Sequence, residues 1–150
     1  MKIGLDAMGG DVGPEVTVNG GLRAAKGLGV EVVLVGDERQ LNPLLALEPD
    51  LKGLVSVVHS SQVVGMTEQP TIALREKPRS SIMIGIGMVE SGHADAFVSA
   101  GNTGAVVAAA YSLLGRIPGI LRPAIGLIYS TMVGRALFLD AGANPDCRAR

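Results

Sequence analysis

The chain has 150 residues, a net charge of −1, 47% hydrophobic residues and a mean hydropathy of +0.37. That composition excludes intrinsic disorder and leaves enough chain for one α/β domain with a real core. Aromatics at 3% and the lack of Trp argue against a base-stacking nucleic-acid platform, while a lone Cys147 rules out an internal disulfide and suits a reducing cytosol.

In chain order, residues 2–6 read as a short apolar strand ending in Asp6, and no secretory signal is expected before it. A glycine-rich loop over 7–13 leads to Pro14, which suits the first turn of a helix over 14–28. Residues 31–36 are continuously apolar and β-branched, as buried parallel strands are. Asp37 then caps a helix over 38–47, and 54–59 form a third strand. The polar stretch 60–71, with Pro70, reads as a loop.

A helix over 80–91 follows, stopped by Gly92, then a strand over 95–99 and a helix over 103–115. Residues 96–115 carry no charge and are long enough for a membrane span, but Gly101, Asn102 and Gly104 interrupt them. They read instead as strand, loop and helix of a soluble protein. Strands over 124–128 and 136–140 close the series. The alternation implies a layered α/β/α fold with a mostly parallel sheet. The last residues, 146–150, follow a strand with no helix to cover it, so the chain is expected to stop inside a larger domain.

Three glycine-rich loops each follow the end of an apolar strand: 6–11, 99–104 and 140–144. In open α/β sheets ligands bind beyond the carboxyl ends of the strands, so the three can converge on one site. Asn102, Thr103 and Gly104 also open a helix, whose free N–H groups and dipole favour an anion, and Gly101 lets the backbone approach it. By itself this segment suits a phosphate loop or a plain helix cap equally. Residues 74–81 set Arg75, Lys77 and Arg79 beside Ser80 and Ser81 at a helix start, either a phosphate grip or an exposed basic turn capped by Ser80. Asp6, Asp11 and Asp140 suit the orienting of loops better than the binding of Mg²⁺. His59 and His93 have no partner at metal-ligand spacing.

Charge is uneven along the chain. Residues 1–71 hold 5 basic and 9 acidic residues, net −4, whereas 72–135 hold 6 basic and 3 acidic, net +3. The basic middle suits an anionic ligand or an acidic partner. No G-x-S-x-G elbow or Walker loop is present, and Gly85-Ile86-Gly87 lies within a helix rather than after a strand.

The segments "MKIGLDAMGGDVGP" (1–14), "VLVGD" (33–37), "ALREKPRSSI" (73–82), "ADAFVSAGNTGA" (94–105), "GRIPGILRPA" (115–124) and "LDAGAN" (139–144) resemble, in order and spacing, the PlsX phosphate acyltransferases of bacterial phospholipid synthesis. The chain departs from that pattern at Val12-Gly13, often His-Ala in the family, at 129–135, and at its 147–150 ending. Family members are longer, so the resemblance makes these residues the N-terminal part of a single domain related to isocitrate and isopropylmalate dehydrogenases and to phosphotransacetylases.

It implies transfer of a fatty acyl group from acyl carrier protein to inorganic phosphate, with no cofactor and no metal. The acyl phosphate would then serve a membrane glycerol-3-phosphate acyltransferase. It further implies a cytoplasmic homodimer able to lie at the membrane surface. On that basis Asn102, Arg75 and Lys77 are the catalytic candidates. Gly9, Gly10, Asp11, Ser80, Ser81, Gly101, Thr103, Gly104, Asp140 and Asn144 are the phosphate- and substrate-binding candidates. Two other readings stay open: a non-catalytic anion-binding or assembly module, and phosphotransacetylase-like transfer from acyl-CoA.

Overall fold

The computed structural model describes residues 1–51, 53–120 and 123–140. They fall into two compact units, Met1–Leu114 and Gly115–Arg150. The first unit holds strands β1 (Lys2–Asp6), β2 (Glu31–Gly36), β3 (Val55–His59) and β4 (Ala96–Val98). All pair in parallel, in the order β3-β2-β1-β4. Helices α1 (Pro14–Leu28), α2 (Glu38–Leu45), α3 (Pro70–Glu76), α4 (Ser81–Glu90) and α5 (Thr103–Leu113) connect and flank them, with one 3₁₀ turn at Pro49–Leu51. The layered, parallel α/β fold read from the sequence is the observed one.

Local chemistry accounts for the elements. The last five residues of β2 are all buried, because a strand inside a parallel sheet is covered on both faces. In α1, Pro14 occupies the first turn and Gly29 ends the helix in the left-handed region at φ 64°. Its buried residues Val18, Gly21, Leu22 and Ala25 recur at helical spacing and form one face. That face packs with Val32, Leu34, Leu41 and Leu51. In α2 the Asp37 carboxylate caps the Arg39 amide, and the paired Arg39 guanidinium pulls its pKa down to about 2.

The opposite face of the sheet carries a second core of Val64, Ala73, Leu74, Ile82, Ile86, Ala105 and Ala109, with Phe97 packed against it. The Phe97 ring fills the space between strand and helix where Gly4 and Gly85 have no side chain. A Cβ on Gly85 would lie 1.9 Å from that ring. Gly85 is therefore a packing glycine.

Two expectations need correction. The loop expected over 60–71 ends two residues early: Pro70 starts α3, which runs to Glu76, in the way that Pro14 starts α1. Seven residues are too few for the helical period to show in the sequence. In the second unit, β5 (Gly126–Thr131) and β6 (Gly134–Leu139) form an antiparallel hairpin, so strand and helix do not alternate there. The turn is closed by the Thr131 hydroxyl, which donates to the Gly134 carbonyl at 2.9 Å. The expected strand bounds sat two residues from the observed starts. Among the described residues, no helix is long and apolar enough to cross a membrane.

The strand order sets the position of the site. From β1 the chain steps outward to β2 and β3, then returns to add β4 on the other side of β1. The order thus reverses between β1 and β4, and the crevice beyond their carboxyl ends is where such sheets bind ligands.

Candidate functional site

Asp6 ends β1 and is 1% exposed. A carboxylate that deep needs donors, and it has them. Oδ1 accepts the Met8 amide at 3.1 Å and Oδ2 accepts the Ser99 hydroxyl at 2.7 Å. The Ser99 Oγ in turn accepts the Gly101 amide at 3.0 Å. One buried carboxylate therefore shapes both loops at the reversal point. Gly9 lets them meet, since a Cβ there would lie 2.6 Å from Asp6 Oδ2 and 2.8 Å from the Gly101 amide nitrogen. Gly10 turns the loop at φ 100°, a conformation that glycine adopts without penalty. From α1, the Thr17 hydroxyl donates to the Ala7 carbonyl at 2.8 Å and anchors the loop from below.

The second loop runs into α5. Asn102 is its N-cap: Oδ1 accepts the Ala105 amide at 3.0 Å. The amide nitrogen of the same side chain faces the carbonyls of Gly65 at 3.1 Å, Glu68 at 3.0 Å and Met66 at 3.3 Å. Gly104 packs closely on Pro70 of α3; a Cβ there would lie 2.6 Å from the proline ring. Thr103 and Gly104 are exposed, and their amides have no acceptor among the described residues. Two unpaired N–H groups at the positive end of an eleven-residue helix attract an anion.

Lys77, at the end of α3, donates to the Val63 carbonyl at 2.8 Å and pairs with the Glu68 carboxylate. Glu68 also accepts the Gly65 amide at 2.7 Å. The Lys77 ammonium first, and that amide second, hold its pKa below the usual carboxylate range. Residues 63–68 are thus gripped by Lys77 on one side and by Asn102 on the other.

Sequence comparison gives the context. A family model described as "Fatty acid synthesis protein" matches residues 1–150. The chain belongs to this fatty acid synthesis protein family. It is 47% identical over 150 residues to a protein named phosphate acyltransferase from Desulforamulus reducens, covering 100% of this chain and 45% of that one. Proteins of the same name from Pelotomaculum thermopropionicum and Moorella thermoacetica are 48% and 47% identical, each over 99% of this chain and 43% of its own length. The chain therefore spans less than half the length of the curated relatives it matches.

Within this family chain, the residues singled out in the sequence divide into groups. Gly9, Gly10, Gly101, Asn102, Thr103 and Gly104 come together beyond β1 and β4. Asp11 is exposed in the first loop. Lys77 joins the group indirectly, through Glu68 and the turn that Asn102 holds. Arg75 and Arg79 are exposed, and neither forms an ion pair among the described residues. Ser80 and Ser81 are buried; Ser80 caps α4, its hydroxyl oxygen accepting the Met83 amide at 3.4 Å. Asp140 belongs to the second unit, where its backbone takes a positive φ of 62° and its amide donates to the Ile125 carbonyl at 2.7 Å. Asn144 lies outside the described residues.

The sequence marked the 99–104 loop but not what Ser99 does in it, and it did not point to Glu68 or the Gly65–Glu68 turn. Their contacts span up to 93 residues, and no periodicity or spacing marks such partners. Among the described residues, no three His, Cys, Asp or Glu side chains group as metal ligands.

Proposed function

We propose that these residues hold inorganic phosphate for attack on an acyl thioester in a phosphate acyltransferase. The observation carrying this reading is the pair of open Thr103 and Gly104 amides, beside a glycine loop that Asp6 locks in place. The names of the relatives support acyl transfer to phosphate.

In this chemistry a phosphate oxygen bonds to the thioester carbonyl carbon. The carbonyl oxygen takes up the electron pair, and collapse expels the carrier thiolate, which takes a proton from solvent. Phosphate is the nucleophile, so no serine or cysteine has to be activated. The protein's contribution is orientation, worth up to roughly 7–11 kcal/mol, and amide donors to the oxyanion, each about 3–4 kcal/mol. Asn102 spends its amide hydrogens on loop carbonyls, so its part is to fix the α5 start. Lys77, tied to Glu68, acts on that same turn. Arg75 and Arg79 remain available to an acidic donor such as acyl carrier protein, and the product acyl phosphate would then acylate glycerol 3-phosphate at a membrane.

The test incubates a full-length chain carrying these residues with acyl carrier protein thioester and inorganic phosphate, and traps acyl phosphate as its hydroxamate. Product is expected, with Asn102→Ala lowering kcat/KM for phosphate on the order of 10²-fold. Equal product from a coenzyme A thioester would shift the donor to acyl-CoA. An unaffected Asn102→Ala enzyme would remove α5 from the phosphate site.

A further inference from the structure

We infer that Glu68 is a positioning residue that sets the start of α5 for phosphate, through the Gly65–Glu68 turn and Asn102. The inference rests on the phosphate-site reading above. Its basis is an unbroken chain of contacts. The turn is closed twice: the Glu68 amide donates to the Gly65 carbonyl at 3.2 Å, and the Gly65 amide donates to Glu68 Oε1 at 2.7 Å. The second bond makes a side chain part of the turn's own framework. A Cβ on Gly65 would lie 3.0 Å from that oxygen, so glycine allows the approach.

With its amide turned toward the carboxylate, the turn directs the Gly65, Met66 and Glu68 carbonyls at one target, the Asn102 amide. That amide has two hydrogens, and three oxygens bracket it. The Asn102 ring of contacts fixes Oδ1 on the Ala105 amide. Capping Ala105 satisfies the third amide of α5 and leaves the first two, Thr103 and Gly104, facing outward. Lys77 closes the far end by holding the Glu68 carboxylate and the Val63 carbonyl together. Glu68 Oε1 is taken up by the Gly65 amide and the Lys77 ammonium, so the route from Glu68 to phosphate runs through the helix start.

The experiment compares Glu68→Ala and Glu68→Gln in a full-length chain, by steady-state kinetics and by amide hydrogen exchange. Gln retains an oxygen able to accept the Gly65 amide. Glu68→Ala is expected to raise the KM for phosphate between about tenfold and a hundredfold, with the KM for the acyl thioester unchanged. Glu68→Gln should recover most of that loss, and exchange at Ala105 and Val106 should quicken in Glu68→Ala while α1 is unaltered.

A phosphate KM within twofold of the parent would overturn the inference. So would parallel changes in both KM values that Gln does not reverse, because these mark general loosening. If the parent chain makes no acyl phosphate, the phosphate-site reading fails separately. Exchange at Ala105 and Val106 then decides whether Glu68 positions α5, and unchanged exchange overturns it.

Discussion

The two faces of the sheet in the first unit are built differently. Beneath α1 and α2 the filling is aliphatic, with Val18, Leu22 and Leu41 against Val32 and Leu34. Among the described residues, the buried polar side chains are Asp6, Ser60, Ser80, Ser81 and Asn102, and none lies on α1 or α2. Glycines divide in the same way. Gly20 and Gly27 on α1 face open space, whereas Gly85 on α4 and Gly104 on α5 are pressed against Phe97 and Pro70. Each face has an exception: Gly21 on α1 is packed on Leu5, and Gly87 on α4 faces open space. One face is a scaffold with slack at its surface. The other is a close-fitted support for the loops beyond β1 and β4, and it tolerates little.

Substitutions put that contrast to the test. The largest effect is expected at Asp6→Ala, which strips the Met8 amide and the Ser99 hydroxyl of their acceptor inside the protein. Urea denaturation should show a loss of about 2–4 kcal/mol, and a loss below about 1 kcal/mol would mean that the loops hold without it. Gly85→Ala comes next. Alanine favours the helix by roughly 1 kcal/mol, but the Phe97 ring must move, so a net loss of about 1–3 kcal/mol is expected. Stabilisation there would show that the second face has slack after all. Gly20→Ala has the smallest effect and the opposite sign: a gain of about 0.5–1 kcal/mol, visible as a higher Tm. A loss at Gly20 would erase the distinction between the faces.

Much of the scaffold was legible in the sequence because its signals are local. The apolar run of β2, the Pro14 start and Gly29 end of α1, and the Asp37 cap of α2 each declare themselves within a few residues. Of the site, the glycine loops and the Asn102 cap were legible for the same reason. What those loops do to each other was not. Asp6 and Ser99 are 93 positions apart, and Lys77 and Glu68 are nine apart with a proline-started helix between them. Lys77 read as a free cation because its partner obeys no helical spacing. Ser80 and Ser81 read either as phosphate ligands or as part of a turn capped by Ser80; the cap is observed, and the burial of both has no local mark in the sequence. The hairpin was missed for a different reason: its turn residues Met132 and Val133 lack the usual Asn-Gly signature.

The parallel pairing of β1 with β4 has a consequence for the order of assembly. Ile3 pairs with Ala96, whereas β1, β2 and β3 can associate once residue 59 has emerged from the ribosome. At about 5–20 residues per second, β1 waits roughly 2–8 s longer for residue 98 with one edge unpaired. Through that interval Asp6 has no Ser99 and Gly9 has no second loop to meet. The nascent chain therefore completes its sheet, and the crevice between the two glycine loops, only when the last parallel strand arrives.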